Sequence, residues 1–480
     1  MIQKTGNISK TRIQETVLTG AIALVISLTV MALPVMSVAA QTKTTPDREV
    51  RSSLEEWQDT LQYGINSEIV DLLPTLTENK VESVLPEVVA LFNTTNNNDV
   101  ILGTARYLET LKSSAGHDRA ISIVDVYQDW NDEILVSLMG YLRETDADIP
   151  NDTLETLEQI IKTRPAGPAT AAVRLYAAAG ASSDDLMSLY RETDVSDDVR
   201  GRILIELGDR GDPNVYDFVQ DIIRDDEEAT TTLQRYALDT LGKLGDERAL
   251  PVIIRQFSSK DAMTRAYAAA ALAGFDTPES RDALEAALKD EFWRVRVSAL
   301  QTISEQAVTD ALEAVLYKVR RDPEQRVRLE AVKTIAALDM DEGWRELEDL
   351  AVRSATGITV RSAIIEQLLT KRPGESKSVI LDIVDKEWDQ ENSKILDTIG
   401  KVVSRTSDPA VTDIVQRLLV HPNYIIRIYG IRAVGNNGLQ SLSDTVVESS
   451  REGNHRAVRS AALRSLEQLG IQPPGDDSPD

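Results

Sequence analysis

The chain has 480 residues, 42% of them hydrophobic and only 5% aromatic, with a formal net charge of −26. It has no cysteine, which excludes disulfides, thiolate zinc sites, cysteine nucleophiles and lipid attachment through an N-terminal cysteine. The charge is uneven: residues 41–250 hold 19 Lys and Arg against 41 Asp and Glu, and residues 251–480 hold 30 against 36. Neither half is the basic domain that nucleic-acid binding calls for.

The first forty residues stand apart. Lys4, Lys10 and Arg12 make a positive start, and no charge occurs from Thr16 to Ala40. Pro34 then breaks the apolar run, and small residues at Ala39 and Ala40 precede Gln41. This order predicts a secretory signal peptide over 1–40. An uncleaved membrane anchor is the alternative, since the uncharged span is long enough to cross a bilayer. Both readings place the remainder outside the cytoplasm, in the periplasm or envelope of a bacterium. Residues 41–51 are polar and without periodicity, and are expected to be a linker.

From there helical patterns run almost to the end, with short breaks of Gly, Asn, Asp and Pro and no alternating strand pattern. One stretch keeps returning. Val295-Arg-Val-Ser-Ala-Leu-Gln-Thr-Ile303 recurs as Val327-Arg-Leu-Glu-Ala-Val-Lys-Thr-Ile335, Val360-Arg to Leu368, Ile426-Arg to Val434 and Val458-Arg to Leu466. Anchored on Ala299, the copies fall at Thr104, Leu135, Ala172, Ile203, Ala237, Ala268, Ala331, Ile364, Ile395, Gly430 and Ala462. The copies at Leu135 and Ile395 are degenerate, and their register can slip by a turn. With a further helical pair before Pro86, about a dozen two-helix units are expected. Pro213, Pro251, Pro323 and Pro409 suit helix starts, and Gly208, Gly211, Gly245 and Gly435 suit helix ends. Units over 52–198 are divergent, those over 199–470 regular, and the polar tail 471–480 has no apolar face and is expected to be disordered.

Leu241-Gly-Lys-Leu-Gly-Asp246, Ala249-Leu-Pro-Val252 and the Val-Arg…Ala…Ile pattern resemble HEAT repeats, most nearly the short bacterial variety seen in phycobilin-lyase-type proteins. The interval is near 32 residues, shorter than the roughly 40–47 of longer HEAT units. The resemblance implies an all-α, right-handed superhelical solenoid whose stacked second helices line a concave groove. It implies nothing specific about activity.

The recurring arginines are Arg265, Arg296, Arg328, Arg361, Arg427 and Arg459. At about 100° per residue, Arg296 falls inside the apolar arc of Val295, Ala299, Leu300 and Ile303, and the others fall inside theirs. A charge among apolar neighbours must be paired or must snorkel, so these arginines are expected to be structural. Asp290 and Asp322, six residues before Arg296 and Arg328, resemble the Asp/Arg ladder between HEAT units; the other four arginines are expected to find loop carbonyls. The densest basic run supplies the partner-binding candidates Lys318, Arg320, Arg321 and Arg326, although Glu313, Asp322, Glu324 and Glu330 are interleaved and favour a mixed solvated face.

The acidic run Asp225–Glu228 lacks calcium-loop spacing. A site built from His117, His421 and His455 would need all three to converge. No phosphate loop, Ser/His/Asp grouping or His-Glu-x-x-His occurs, and neither a cofactor nor a metal is called for. The sequence therefore points to a non-catalytic exported scaffold or adaptor for a protein or peptide. A lyase-like enzyme or accessory subunit and a helical-repeat nucleic-acid binder are the alternatives.

Overall fold

The computed structural model describes residues 46–192, 194–224 and 230–472. The expected leader, the run Asp225–Glu228 and nearly all of the tail lie outside the described residues. Among the described residues there are 26 α-helices and no strand, and no helix is long and apolar enough to cross a membrane. The first helix, Pro46–Tyr63, begins inside the expected linker. Proline lacks an N–H, which costs nothing in a first turn. The chain divides into two compact units at Glu56/Trp57; the repeats belong to Trp57–Asp480, which continues without a division at residue 198.

In chain order, first and second helices alternate, thirteen of each. Each second helix from Asn98–Thr110 to Tyr424–Asn436 packs on the second helix before it and the one after it, Asn66–Glu78 and Arg456–Leu469 pack on one such neighbour, and first helices pack against them. Trp293–Glu305 shows why. Val295, Ala299 and Ile303 recur every four residues with Leu300 beside them, and all four are fully buried. Each is worth on the order of 1–3 kcal/mol, Ala299 least. Stacking a neighbour on each side is the only way to bury so wide an arc on a short helix.

The buried pattern also settles register. Taking Ala299 as position 0, buried residues occupy −4, 0, +1 and +4 in nearly every second helix. In Asp132–Glu144 that pattern is Ile134, Leu138, Met139 and Leu142, and in Lys394–Val403 it is Ile395, Ile399, Gly400 and Val403. The equivalents of Ala299 are thus Leu138 and Ile399, three and four residues beyond the sequence anchors Leu135 and Ile395. An apolar stripe maps onto itself after such a shift, so periodicity alone does not fix it.

Gly211 and Gly245 end their helices in left-handed conformation, φ 65° and 60°, as expected. Gly208 and Gly435 instead lie inside helices, at position +5. A Cβ on Gly435 would sit 2.9 Å from the Ser465 Cα, and one on Gly208 3.2 Å from the Thr240 Cα. These glycines let the next second helix come close, and that approach is used. At position +3 a hydroxyl donates to the carbonyl at +1 of the preceding second helix: Thr240 to Leu204 (2.8 Å), Thr302 to Ala269 (3.0 Å), Thr334 to Leu300 (3.1 Å) and Ser465 to Ile431 (2.8 Å).

Candidate functional site

The recurring arginine, at position −3, joins neighbouring repeats. Arg296 reaches forward to Asp322 with two parallel bonds, Nε to Oδ2 at 2.8 Å and Nη2 to Oδ1 at 2.7 Å. Its Nη1 donates to the carbonyls of Asp290 (2.8 Å) and Glu291 (3.1 Å) in its own inter-helix break. Both side chains are buried, 7% and 1% exposed, so the pair survives because it is fully hydrogen-bonded. Arg265 does the same with Asp290 (2.7 and 2.9 Å) and the Ser259 carbonyl (3.0 Å). Arg361 donates to Glu387 (3.0 Å) and the Ala351 carbonyl (2.7 Å).

The expected ladder is therefore present in shifted form. Asp290 and Asp322 give their carboxylates to the arginine of the preceding repeat, not to the one six residues ahead. Carbonyls serve the same arginines as carboxylates, instead of replacing them. Arg328, Arg427 and Arg459 form no ion pair among the described residues, and Nε of Arg328 and of Arg459 is buried without a hydrogen-bond partner. The chain offers Ser354 and Gly453 where the acid for Arg328 and Arg427 would stand. A related pair that the sequence reading missed joins Arg235 to Asp261 (2.8 Å), which also caps its helix through Thr264.

The four partner-binding candidates do not form one open basic face. Lys318 lies against buried Asp322 at 3.6 Å with 12% of its side chain exposed, so it belongs to the Arg296 ladder. Burial, with the adjacent Arg296 and Lys289, lowers its ammonium below the usual lysine value against the pull of Asp322. Arg320 is paired with Glu346 at 2.7 Å. Arg326 lies over the Trp293 ring, 4.8 Å from its centroid, and Arg294 is 5.2 Å from the same ring. Arg321 is exposed. Each candidate thus has a separate environment.

The exposed side of the second helices is the surface left over once stacking is satisfied. Position +2 is exposed through the later repeats and reads Gln301, Lys333, Glu366, Lys401, Arg432, Arg464. Its character changes along the stack. Earlier helices gather Arg143, Arg174 and Arg202; burial, then Arg202 and Arg143, push the Arg174 guanidinium down, and Glu206 opposes them. Next come Tyr236 and Tyr267 with Met263, the first ring lying across Gly201, where a Cβ would be 2.7 Å from it. At the C-terminal end Lys401, Arg405, Arg432 and Arg464 are all exposed.

The histidines play separate local parts. His421 is buried; its Nδ1 accepts from the Asn423 N–H (3.0 Å), so Nε2–H donates to the Trp388 carbonyl (3.1 Å). His117 bonds Thr145 at 2.7 Å, and His455 caps its helix by accepting from Ala457. Among the described residues no group of three or more His, Asp or Glu is arranged to hold a metal ion.

Two solved structures with this architecture are the Kap95:Nup1 complex and yeast importin-beta (Kap95p). The first is 11% identical with a TM-score of 0.53, over 88% of this chain and 68% of that one. The second is 10% identical with a TM-score of 0.51, over 87% and 72%. At such identities the likeness is one of fold. No curated protein matches the chain significantly. The family model described as spirochaete HEAT repeat protein matches residues 61–465, and the chain belongs to that family of HEAT-repeat solenoids.

Proposed function

We propose that this protein is a non-catalytic exported scaffold that holds a protein or peptide segment along the exposed face of its second helices. One observation carries the reading. The residues that recur are consumed in stacking, whereas the exposed row at position +2 and its neighbours vary from repeat to repeat. A row that takes no part in stacking and stays exposed over the last six second helices suits an elongated partner. The Kap95:Nup1 structure, a complex of two proteins on a related fold, supports this use of the architecture. Export rests on the charge-free stretch from Thr16 to Ala40 behind Lys4, Lys10 and Arg12.

Photocrosslinking in cells from position 301, on the second-helix face, and from position 313, on a first helix, tests the reading. A discrete partner captured from 301 and not from 313 is expected. Equal capture from both, or none from either, contradicts it. N-terminal sequencing of the same material tests cleavage after Ala40, and a start at Met1 leaves the anchor reading in its place.

A further inference from the structure

Lys401, Arg432 and Arg464 occupy the same position, +2, on the last three second helices, and these helices pack directly on one another. Neighbouring packed helices lie about 8–10 Å apart, so the three positions recur at about that interval along the stack. Arg405 extends the row from the turn that follows the Lys394–Val403 helix. Lys401 and Arg405 share a depression of about 260 Å³ with Glu366 and Thr370. Arg432 and Arg464 line the next one, about 220 Å³, with Asn436 and Gln468. The floor is fixed: Asn436 donates to the Ser404 carbonyl at 2.6 Å, and Gln468 to Asn436 at 3.3 Å.

Of the row, only Lys401 is paired with a carboxylate, and the charges of Arg405, Arg432 and Arg464 are left for a ligand. Asp397 is held by Lys401 (2.6 Å) and by the Tyr429 hydroxyl (2.9 Å). Glu366 stands at the far end, and Glu467 is exposed on the last helix. Arg405 and Arg432 form no ion pair among the described residues, and Arg464 bonds only Ser460 on its own helix. In a chain of charge −26 these arginines are conspicuous. Screening over about 8 Å at physiological salt lets such a local group act against the overall charge.

We propose that this row binds an acidic peptide segment in polyproline II conformation, with a carboxylate at every third residue. That helix has about three residues per turn and rises about 3.1 Å per residue, so every third side chain returns to one side after about 9 Å. A β-strand alternates sides with period two, and its same-side repeats of about 7 or 13 Å miss the row. The arginine fork suits carboxylates, and each pairing is a charge-assisted hydrogen bond. The proposal rests on the broader reading that the second-helix face binds a segment of chain.

The test uses the full chain and two labelled peptides of identical composition, Glu-Pro-Ala-Glu-Pro-Ala-Glu and Glu-Glu-Glu-Pro-Ala-Pro-Ala, followed by fluorescence anisotropy. The spaced peptide is expected to bind about tenfold more tightly, the worth of one charge-assisted bond, and to weaken as salt rises. Arg432→Glu with Arg464→Glu is expected to erase the preference while leaving the thermal midpoint unchanged; Arg432→Gln with Arg464→Gln serves if the reversal disturbs folding. Equal binding of the two peptides overturns the proposal. So does undiminished binding by the variants, or tighter binding of a single-stranded oligonucleotide that depends on the same arginines. A partner still captured from position 301 in the double variant refutes this row alone and leaves the wider reading standing.

Discussion

The N-terminal repeats and the central repeats solve one problem with different side chains. In the central region, position −3 is an arginine tied to the next repeat, and position +3 is a threonine tied to the previous one. In Asn98–Thr110 and Asp132–Glu144, position −3 is Ile101 or Leu135, fully buried and without charge. Position +3 is a tyrosine. Tyr107 donates to the Val81 carbonyl; Tyr141 donates to the Ser113 carbonyl (2.7 Å) and accepts from the Gly116 N–H (3.1 Å). A threonine reaches the adjacent helix, whereas a tyrosine reaches past it to the preceding connection. The fold asks for polar ties between neighbours and leaves their chemistry free.

The comparison is easiest to break at the central ladder. Arg296→Ala removes both arginine bonds from the buried Asp322 carboxylate, leaving it Lys318 at 3.6 Å and the Glu324 N–H, and is expected to cost about 3 kcal/mol in denaturant unfolding. Replacing the whole buried group with apolar residues, Arg296→Met with Asp322→Leu and Lys318→Met, is expected to recover most of that loss. A single variant no weaker than the triple would remove the ladder from the account. Tyr141→Phe deletes two hydrogen bonds and is expected to cost about 1–3 kcal/mol, felt in the first repeats and not in the central ones.

The two regions also differ in pH response. Burial raises the Asp290 carboxyl, but Arg265 and the Phe292 N–H outweigh it and hold it below the usual carboxylate value. That stability is present above the unfolded value near 4 and is lost as pH falls through the folded one. Burial pushes Tyr107 and Tyr141 up to about 12, with Glu82 and Glu87 adding to it at Tyr107 and the Gly116 N–H opposing it at Tyr141. Their stability is full below the unfolded value near 10 and is lost as pH rises toward 12. Acid should therefore loosen the Arg265–Asp290 tie and alkali the Tyr107 and Tyr141 ties; hydrogen exchange of the helices they join, read at both extremes, checks this. Thr302→Val is the mildest change, about 1 kcal/mol, because one hydroxyl bond to the Ala269 carbonyl is lost.

Much of the fold was legible in the recurring Val-Arg…Ala…Ile segment, since repetition and amphipathic period together demand stacked helices. Register was less so. At Leu135 and Leu396 the arginine that marks position −3 is missing, and the apolar stripe fits equally well one turn away. That slip had a consequence for the site. Counted from Ile395, Lys401 falls at +6; counted from Ile399, it falls at +2, in line with Arg432 and Arg464. The cation row was hidden by a four-residue ambiguity, whereas the basic run at 318–328 drew notice because its charges are dense in sequence. Density did not reveal that Lys318 lies on Asp322 or that Arg320 is held by Glu346. Glycine at 208 and 435 suits a helix end by residue type, but closeness to the next helix is what requires it at those positions.

Hydrogen exchange of the Arg296→Ala chain, resolved by helix, tests the central claim that the recurring arginine holds one repeat to the next. Faster exchange confined to Trp293–Glu305, Leu312–Arg321 and Gln325–Leu338 is the predicted result, because a solenoid feels a lesion mainly at its nearest neighbours. Unchanged exchange in all three helices, together with loss of the partner captured from position 301, would contradict it and move the arginine from the stack to the binding surface.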